Sequence, residues 1–215
     1  MTKYGLLIET DRCLGCGVCV FACKDEFEGN DYPPFSFAQP ETTYGYNPQD
    51  YPEPATKLTV YIDSGHFWIK LDNVVKGKFP NVSSIYLPQP CMQCEDAPCV
   101  KASGETGSVY KRSDGIIIID PIKSRGQKHI VESCPYHRIY WNAEKNIPQK
   151  CTFCAHLVDK GKAPKCVESC PVSAMTFGDL DDPNSYISYK IKTLGAKELK
   201  PEFGTKPKVY YTKLL

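Results

Sequence analysis

Cysteine is the residue type whose spacing in this sequence points to chemistry. The chain has 215 residues and 12 cysteines, which fall into three groups and one isolated residue. The first group is spaced Cys-x2-Cys-x2-Cys-x3-Cys, the spacing with which a chain grips a [4Fe–4S] cube. The pattern therefore indicates iron–sulfur redox chemistry. The groups are Cys13, Cys16, Cys19 and Cys23; then Cys91, Cys94 and Cys99; then Cys134 alone; then Cys151, Cys154, Cys166 and Cys170.

Two of these groups are incomplete, and they become complete when the fourth cysteine is exchanged between paired motifs. In two-cluster proteins the fourth cysteine of each motif binds the other cube. Under this rule every cysteine is used, and one cube is missing because its four ligand positions hold Ser103, Ser124, Gln127 and Ile130. The predicted sets are Cys13, Cys16, Cys19 and Cys170 for cluster 1; Cys23, Cys151, Cys154 and Cys166 for cluster 2; and Cys91, Cys94, Cys99 and Cys134 for cluster 3.

Other uses of the cysteines fit the sequence less well. Disulfides would require an oxidising compartment, and the segment from Met1 shows no signal-peptide pattern before Cys13. Structural zinc uses Cys-x2-Cys pairs but does not need the repeated x2-x2-x3 spacing. A [3Fe–4S] cluster is an alternative at any single site. We expect a cytoplasmic protein, or one exported as a complex by a signal on its partner.

Composition excludes several other functions. Lys and Arg number 26 against 25 Asp and Glu, so no basic surface for nucleic acid is indicated. The longest aliphatic run, residues 116–119, is far too short to cross a bilayer. No Ser/His/Asp set, phosphate-binding loop or dinucleotide fingerprint is convincing. We therefore expect a non-catalytic electron carrier.

The remaining pattern predicts an α+β fold. It consists of two pseudo-symmetric modules like bacterial ferredoxins, a β-hairpin-containing insertion and an extended C-terminal tail. Hairpins are predicted for residues 58–62 with 66–69 and for 108–110 with 115–119. The tail after Pro183 shows no helical period, so we expect it to wrap over a partner. The predicted units are 1–27 with 148–182 (two clusters), 28–84 (insertion), 85–147 (one cluster and the lost site) and 183–215 (tail).

At this point the sequence resembles a known family. The motifs that carry the resemblance are the run from Cys13 to Cys23, the segment 90–99, the Cys134-Pro135 pair, and the segments 150–156 and 166–171. Together they are similar to the iron–sulfur (beta) subunits of the dimethyl sulfoxide reductase family. The resemblance implies a relay to a large catalytic subunit that holds molybdenum or tungsten on two pterins. It also implies that cluster 1 lies nearest that subunit and that the missing cube is the one facing a membrane anchor.

Within that family, segments 114–121, 140–142 and 200–211 are similar to a transhydroxylase branch that also has three cubes. The resemblance implies an electron-transfer subunit of an aromatic (phenolic) hydroxylase or transhydroxylase, without a membrane anchor. Two alternatives stay open. One is the beta subunit of a respiratory reductase for a sulfur or arsenic oxyanion. The other is a free-standing polyferredoxin.

Overall fold

A computed structural model describes residues 2–27 and 68–214 of the chain. Short helices and strands alternate along it. The helices are α1 (Val18–Glu26), α2 (Pro98–Ala102), α3 (His129–Glu132), α4 (Ala155–Val158), α5 (Lys165–Glu168) and α6 (Tyr186–Leu194). The strands are β1 (Tyr4–Ile8), β2 (Lys70–Lys78), β3 (Asn81–Gln89), β4 (Val109–Lys111), β5 (Ile117–Ile119), β6 (Tyr140–Asn142), β7 (Ile147–Gln149), β8 (Met175–Asp179), β9 (Lys197–Glu198) and β10 (Val209–Tyr211).

The largest sheet joins the beginning of the chain to its end, in the strand order β8-β1-β10-β9. Strand β1 pairs antiparallel with β8 and parallel with β10, with Leu6 opposite Val209. The consecutive residues Leu6, Leu7 and Ile8 of β1 are all buried. A continuous apolar run is typical of a strand that is covered on both faces. This segment therefore lies in the interior of the sheet, between β8 and β10.

The C-terminal tail is built into this sheet and contains a helix, so the expectation of a tail without a helix is wrong, whereas its wrapping over a partner stays a prediction. Helix α6 begins after Ser185, whose side chain accepts a hydrogen bond from the Ser188 amide at 3.2 Å, and ends at Gly195 with φ 59°. Both are ordinary capping signals. Helix α6 packs on β1 and β8 through buried Ile187, and β10 then inserts beside β1.

The other sheets are hairpins. Strands β4 and β5 confirm the second predicted hairpin, with Val109 opposite Ile119. Strands β2 and β3 form a long hairpin that the sequence did not predict, and it crosses the expected boundary at residue 84. The first predicted hairpin lies outside the described residues, except for Trp68 and Ile69.

The apolar core is continuous with the cysteines. Eight of them are less than 9% exposed and pack in one cluster with the aliphatic side chains of the sheet. Helix α1 packs against α5, and α2 packs against α3. Among the described residues, no helix has the length and apolarity to cross a membrane. The core is thus organised around the thiols.

Candidate metal centres

All twelve cysteines are free thiols, and eight of them line two cavities. The first cavity encloses about 360 Å³, including space open to solvent, and all four thiols of predicted cluster 1 line it. The electrostatic neighbours of Cys19 are those of the same set, Cys13, Cys16 and Cys170. The structure therefore brings together three thiols of the first motif and one from the last.

The second cavity encloses about 350 Å³ by the same measure and is lined by Cys23, Cys151, Cys154 and Cys166. Its other walls are apolar, and they include Leu6, Phe27, Ile69 and Phe153. These thiols are those predicted for cluster 2. An apolar, largely buried wall keeps water away from the space that they surround.

The third group consists of Cys91, Cys94, Cys99 and Cys134. Cys94 has the other three as electrostatic neighbours, and its thiol also lies in hydrogen-bond contact with Thr205 of the tail. The Tyr136 hydroxyl lies 2.7 Å from Thr205 Oγ1. The tail thus helps to enclose the set predicted for cluster 3.

Helix packing brings the fourth cysteine of the first and of the last motif close to the thiols of the other motif. Helix α1 carries Cys19 and Cys23 one turn apart, so their side chains can reach neighbouring sites. Helix α5 carries Cys166, and Cys170 follows directly after it. Because α1 packs against α5, Cys23 approaches the thiols around Cys166, while Cys170 approaches those around Cys19.

The loop between the first two cysteines of each group has the same left-handed turn. The residue before the second cysteine has φ 68° at Gly15, 46° at Gln93 and 51° at Phe153. This turn aims a backbone N–H at the first thiol, as Phe153 N does toward Cys151 Sγ at 3.4 Å. A Cβ at Gly15 would lie 2.5 Å from the Tyr86 ring, so only glycine fits there.

The two Cys-Pro turns also share one geometry. Three residues after each cysteine the backbone is left-handed, with φ 53° at His137 and 49° at Ser173. Four residues after it, the backbone N–H donates to the thiol, at 3.4 Å for Cys134 and 3.3 Å for Cys170. The proline that follows each cysteine in sequence therefore marks the same sulfur-binding turn in both halves.

The electrostatics of these thiols favour a metal group. Burial, followed by the proximity of other thiols, raises the pKa of Cys19, Cys94 and Cys151 to about 12. The pKa of Cys166 is raised well above its ordinary value for the same reasons. Thiolates crowded in an apolar space need positive charge among them, and iron supplies it. Four soft sulfur donors around each space fit a [4Fe–4S] cube.

A single-ion site is a different arrangement. In the described part of the chain, no group of three or more His, Cys, Asp or Glu side chains could hold one metal ion. Two of the cysteine sets surround cavities instead.

The positions of the lost cube are filled with packed side chains. Ile130 is completely buried, and Ser103 and Ser124 are buried as well, just after α2 and in the turn before α3. Ser103 Oγ donates to the Val109 carbonyl at 3.2 Å. Gln127 Oε1 accepts a bond of 2.9 Å from Ser108 Oγ, and its Nε2 donates to the Lys123 carbonyl. The side chains of Ser103 and Gln127 are thus bonded locally, while Ser124 Oγ is buried without a hydrogen-bond partner among the described residues.

Several residues that the cysteine pattern did not reveal surround the thiols. Lys150 is 2% exposed and lies next to Cys151, and Arg138 is buried beside Cys134. Gln93 is fully buried and bridges the Cys151 carbonyl to the Ile117 amide. A charged residue directly before a cysteine was the only available signal for Lys150. His156 Nε2 lies 2.8 Å from Glu26 Oε1.

Free thiols in sets of four, carried on short helices and left-handed turns, define a ferredoxin-type iron–sulfur protein. Comparison with known proteins agrees, since the 4Fe–4S dicluster domain family matches residues 82–180.

Three relatives match nearly the whole chain. The pyrogallol hydroxytransferase small subunit of Pelobacter acidigallici is 37% identical over 100% of this chain and 70% of its own length. A sulfite dehydrogenase subunit of Allochromatium vinosum is 33% identical over 98% of this chain and 83% of its own length. A Halobacterium salinarum protein, named as the iron–sulfur subunit of a dimethyl sulfoxide reductase, is 35% identical over 98% and 79%. The chain belongs to the iron–sulfur (beta) subunits of the dimethyl sulfoxide reductase family, and it is an electron-transfer subunit with [4Fe–4S] clusters.

Proposed function

We propose that this chain carries three [4Fe–4S] clusters and exchanges electrons with a large catalytic subunit that holds molybdenum or tungsten on two pterins. The observation that supports the number is the grouping of twelve thiols into three sets of four, two of them around cavities, with a fourth set of positions filled by other side chains. When bound, the cubes supply one-electron transfer. The chain's own residues would hold them and keep water from them. The proposed ligands are the three cysteine sets predicted from the sequence.

The end of the chain near Cys13 and Cys16 is proposed to face the catalytic subunit. Cys16 is exposed, and the neighbouring side chains of Leu14 and Phe21 are each 64% exposed. Apolar groups clustered at the surface indicate a contact with another protein. Burial of this end by the partner would also remove solvent from the space between Cys13 and Cys170.

The substrate class proposed for the complete enzyme is phenolic, in a hydroxylase or transhydroxylase. The relative from Pelobacter, a pyrogallol hydroxytransferase small subunit, supports this class. The filled fourth site supports it as well. With Ile130 and its neighbours packed there, that end of the chain offers electrons no cube through which to leave toward a membrane. A reaction without net electron exchange has no need of that exit.

A second candidate is the beta subunit of a respiratory reductase for a sulfur or arsenic oxyanion. It is supported by the relatives named as subunits of a sulfite dehydrogenase and of an arsenate respiratory reductase, at 33% and 30% identity. Such an enzyme must exchange electrons with an external carrier. A free-standing polyferredoxin is a third candidate, and for it no catalytic subunit should accompany the chain.

The decisive experiment is anaerobic purification of the native protein together with whatever it binds. We expect a large subunit containing molybdenum or tungsten, about twelve irons on this chain, and turnover with trihydroxybenzenes. Iron near eight or sixteen would contradict the three clusters. Turnover with a sulfur or arsenic oxyanion, driven by quinol analogues rather than soluble dyes, would support the second candidate. It would also contradict the proposal that no electrons pass through the end with the filled fourth site.

A further inference from the structure

Lys150 is a buried lysine between two of the proposed cluster sites. Only 2% of the residue is exposed to solvent. Cys151, which follows it, is assigned to cluster 2, and Cys99, assigned to cluster 3, also lies within range of its charge. Lys150 therefore acts on thiols of both sets.

The Lys150 ammonium is held by uncharged groups. Its Nζ donates to the carbonyls of Ile117 and, at 3.0 Å, of Cys151. Gln93 Nε2 donates to the same Cys151 carbonyl at 3.0 Å, and Gln93 Oε1 accepts from Ile117 N at 2.8 Å. Among the described residues, no carboxylate forms an ion pair with Lys150. The positive charge is thus fixed in place and not neutralised by a side chain.

Other lysines around the cysteine loops differ in this respect. Lys208 and Lys111 pair with Glu95 at 2.6 and 3.0 Å, and Lys206 pairs with Asp96 at 2.8 Å. Burying an ammonium without a negative partner is costly, because it loses its hydration. The cost is offset when negative charge is bound nearby, and an iron–sulfur cube with four thiolates supplies that charge.

We propose that Lys150 is a positioning residue that serves as the shared counter-charge of clusters 2 and 3 and raises the reduction potential of both. This inference rests on the cluster assignment in the proposed function. Each reduction takes one electron from the partner's cofactor, or from dithionite in an assay, and adds one negative charge beside the ammonium without moving a proton. The fixed cation therefore favours the reduced form of both clusters.

The test is a potentiometric titration of the anaerobic complex, followed by electron paramagnetic resonance. Lys150→Gln removes the charge and keeps a donor, whereas Lys150→Arg keeps the charge. We expect the reduction equilibrium of two clusters to fall at least tenfold in Lys150→Gln, about 59 mV for a one-electron couple. The midpoint potential of cluster 1 should not change, and the midpoint potentials in Lys150→Arg should stay near those of the parent. Lys206→Gln, which removes an exposed lysine from the same region, should leave all three unchanged.

Arg138 offers a second comparison, because it is buried beside Cys134 of cluster 3 alone. Arg138→Gln should shift the midpoint potential of one cluster, whereas Lys150→Gln should shift the midpoint potentials of two. Unchanged midpoints in Lys150→Gln with all clusters loaded, or an equal shift of all three, would overturn the proposal for Lys150.

Iron analysis of the parent complex separates this inference from the proposed function. About twelve irons are expected, and a different number in the parent contradicts the cluster assignment itself. If Lys150→Gln does not load its clusters, Gln93→Glu is measured instead, because it adds a negative charge to the side chain that shares the Cys151 carbonyl with the Lys150 ammonium and so offsets the positive charge. It should lower the same two midpoints, and unshifted midpoints in loaded Gln93→Glu would refute the role of Lys150.

Discussion

Replacement of Ile130 by alanine tests whether the lost cluster site is a packed core. Ile130 occupies a position where the motif would have a cysteine, and its exposed fraction is 0%. Truncating a fully buried isoleucine to alanine costs about 2–5 kcal/mol, from lost transfer free energy and from the cavity left behind. The matched control is Ile122→Ala. Ile122 lies in the same region but is 86% exposed, so its truncation should cost no more than about 0.5 kcal/mol.

The assay is urea unfolding of the anaerobic complex, followed by far-ultraviolet circular dichroism and by loss of the iron–sulfur absorbance. Release of clusters makes such unfolding irreversible, so unfolding rates at a fixed urea concentration are compared along with midpoints. We expect Ile130→Ala to unfold at clearly lower urea than the parent, with its iron content unchanged. Ile122→Ala should match the parent. Equal stability of the two variants would refute the reasoning, because it would mean that the space around Ile130 is not tightly packed.

The remaining predictions concern ligand exchange, the tail and the lost cube. Cys23 and Cys166 belong to one proposed set, so the Cys23→Ala/Cys166→Ala double variant should lose one cube. Cys23 and Cys19 belong to two sets, so Cys23→Ala/Cys19→Ala should lose two cubes. Electron paramagnetic resonance counts the cubes that remain, and the reverse result would refute the exchange. Tyr211→Phe should destabilise the chain by about 1–3 kcal/mol in urea unfolding, because the buried Pro88 carbonyl loses its 3.0 Å bond, and no change would contradict that bond's role. Cysteines at all four replaced positions should be required before iron analysis shows a fourth cube, and a partial set that assembles one would disprove this.

The sequence alone was sufficient for the grouping of the thiols. Ligands two or three residues apart lie on one tight loop, so spacing determines which of them can meet. Gly15 favours the left-handed turn of the first loop, but Gln93 and Phe153 adopt the same turn without a glycine, so residue type alone does not predict it. Burial and hydrogen bonds hold Gln93 in that conformation, and these are properties of the folded chain.

The tail shows where local pattern fails. Ser185 and Gly195 cap α6, and Ile187, Ile191 and Leu194 recur at helical spacing inside it, so this helix was readable from the sequence although it was not predicted. The pairing of β10 with β1 joins residues about two hundred positions apart, as Leu6 with Val209. No local propensity specifies such a pairing, because it depends on which apolar strand leaves an open edge once the rest has folded.

The cysteine types and spacings therefore determined the chemistry of this protein and the sets in which its thiols meet. Only the tertiary structure decided the surroundings of those sets. It placed Lys150 out of water between Cys99 and Cys151, and it filled the lost site around Ile130. The physical reason is that three thiols of each set lie in one local segment and the repeated motif identifies the fourth, whereas burial and uncompensated charge arise from contacts between distant segments.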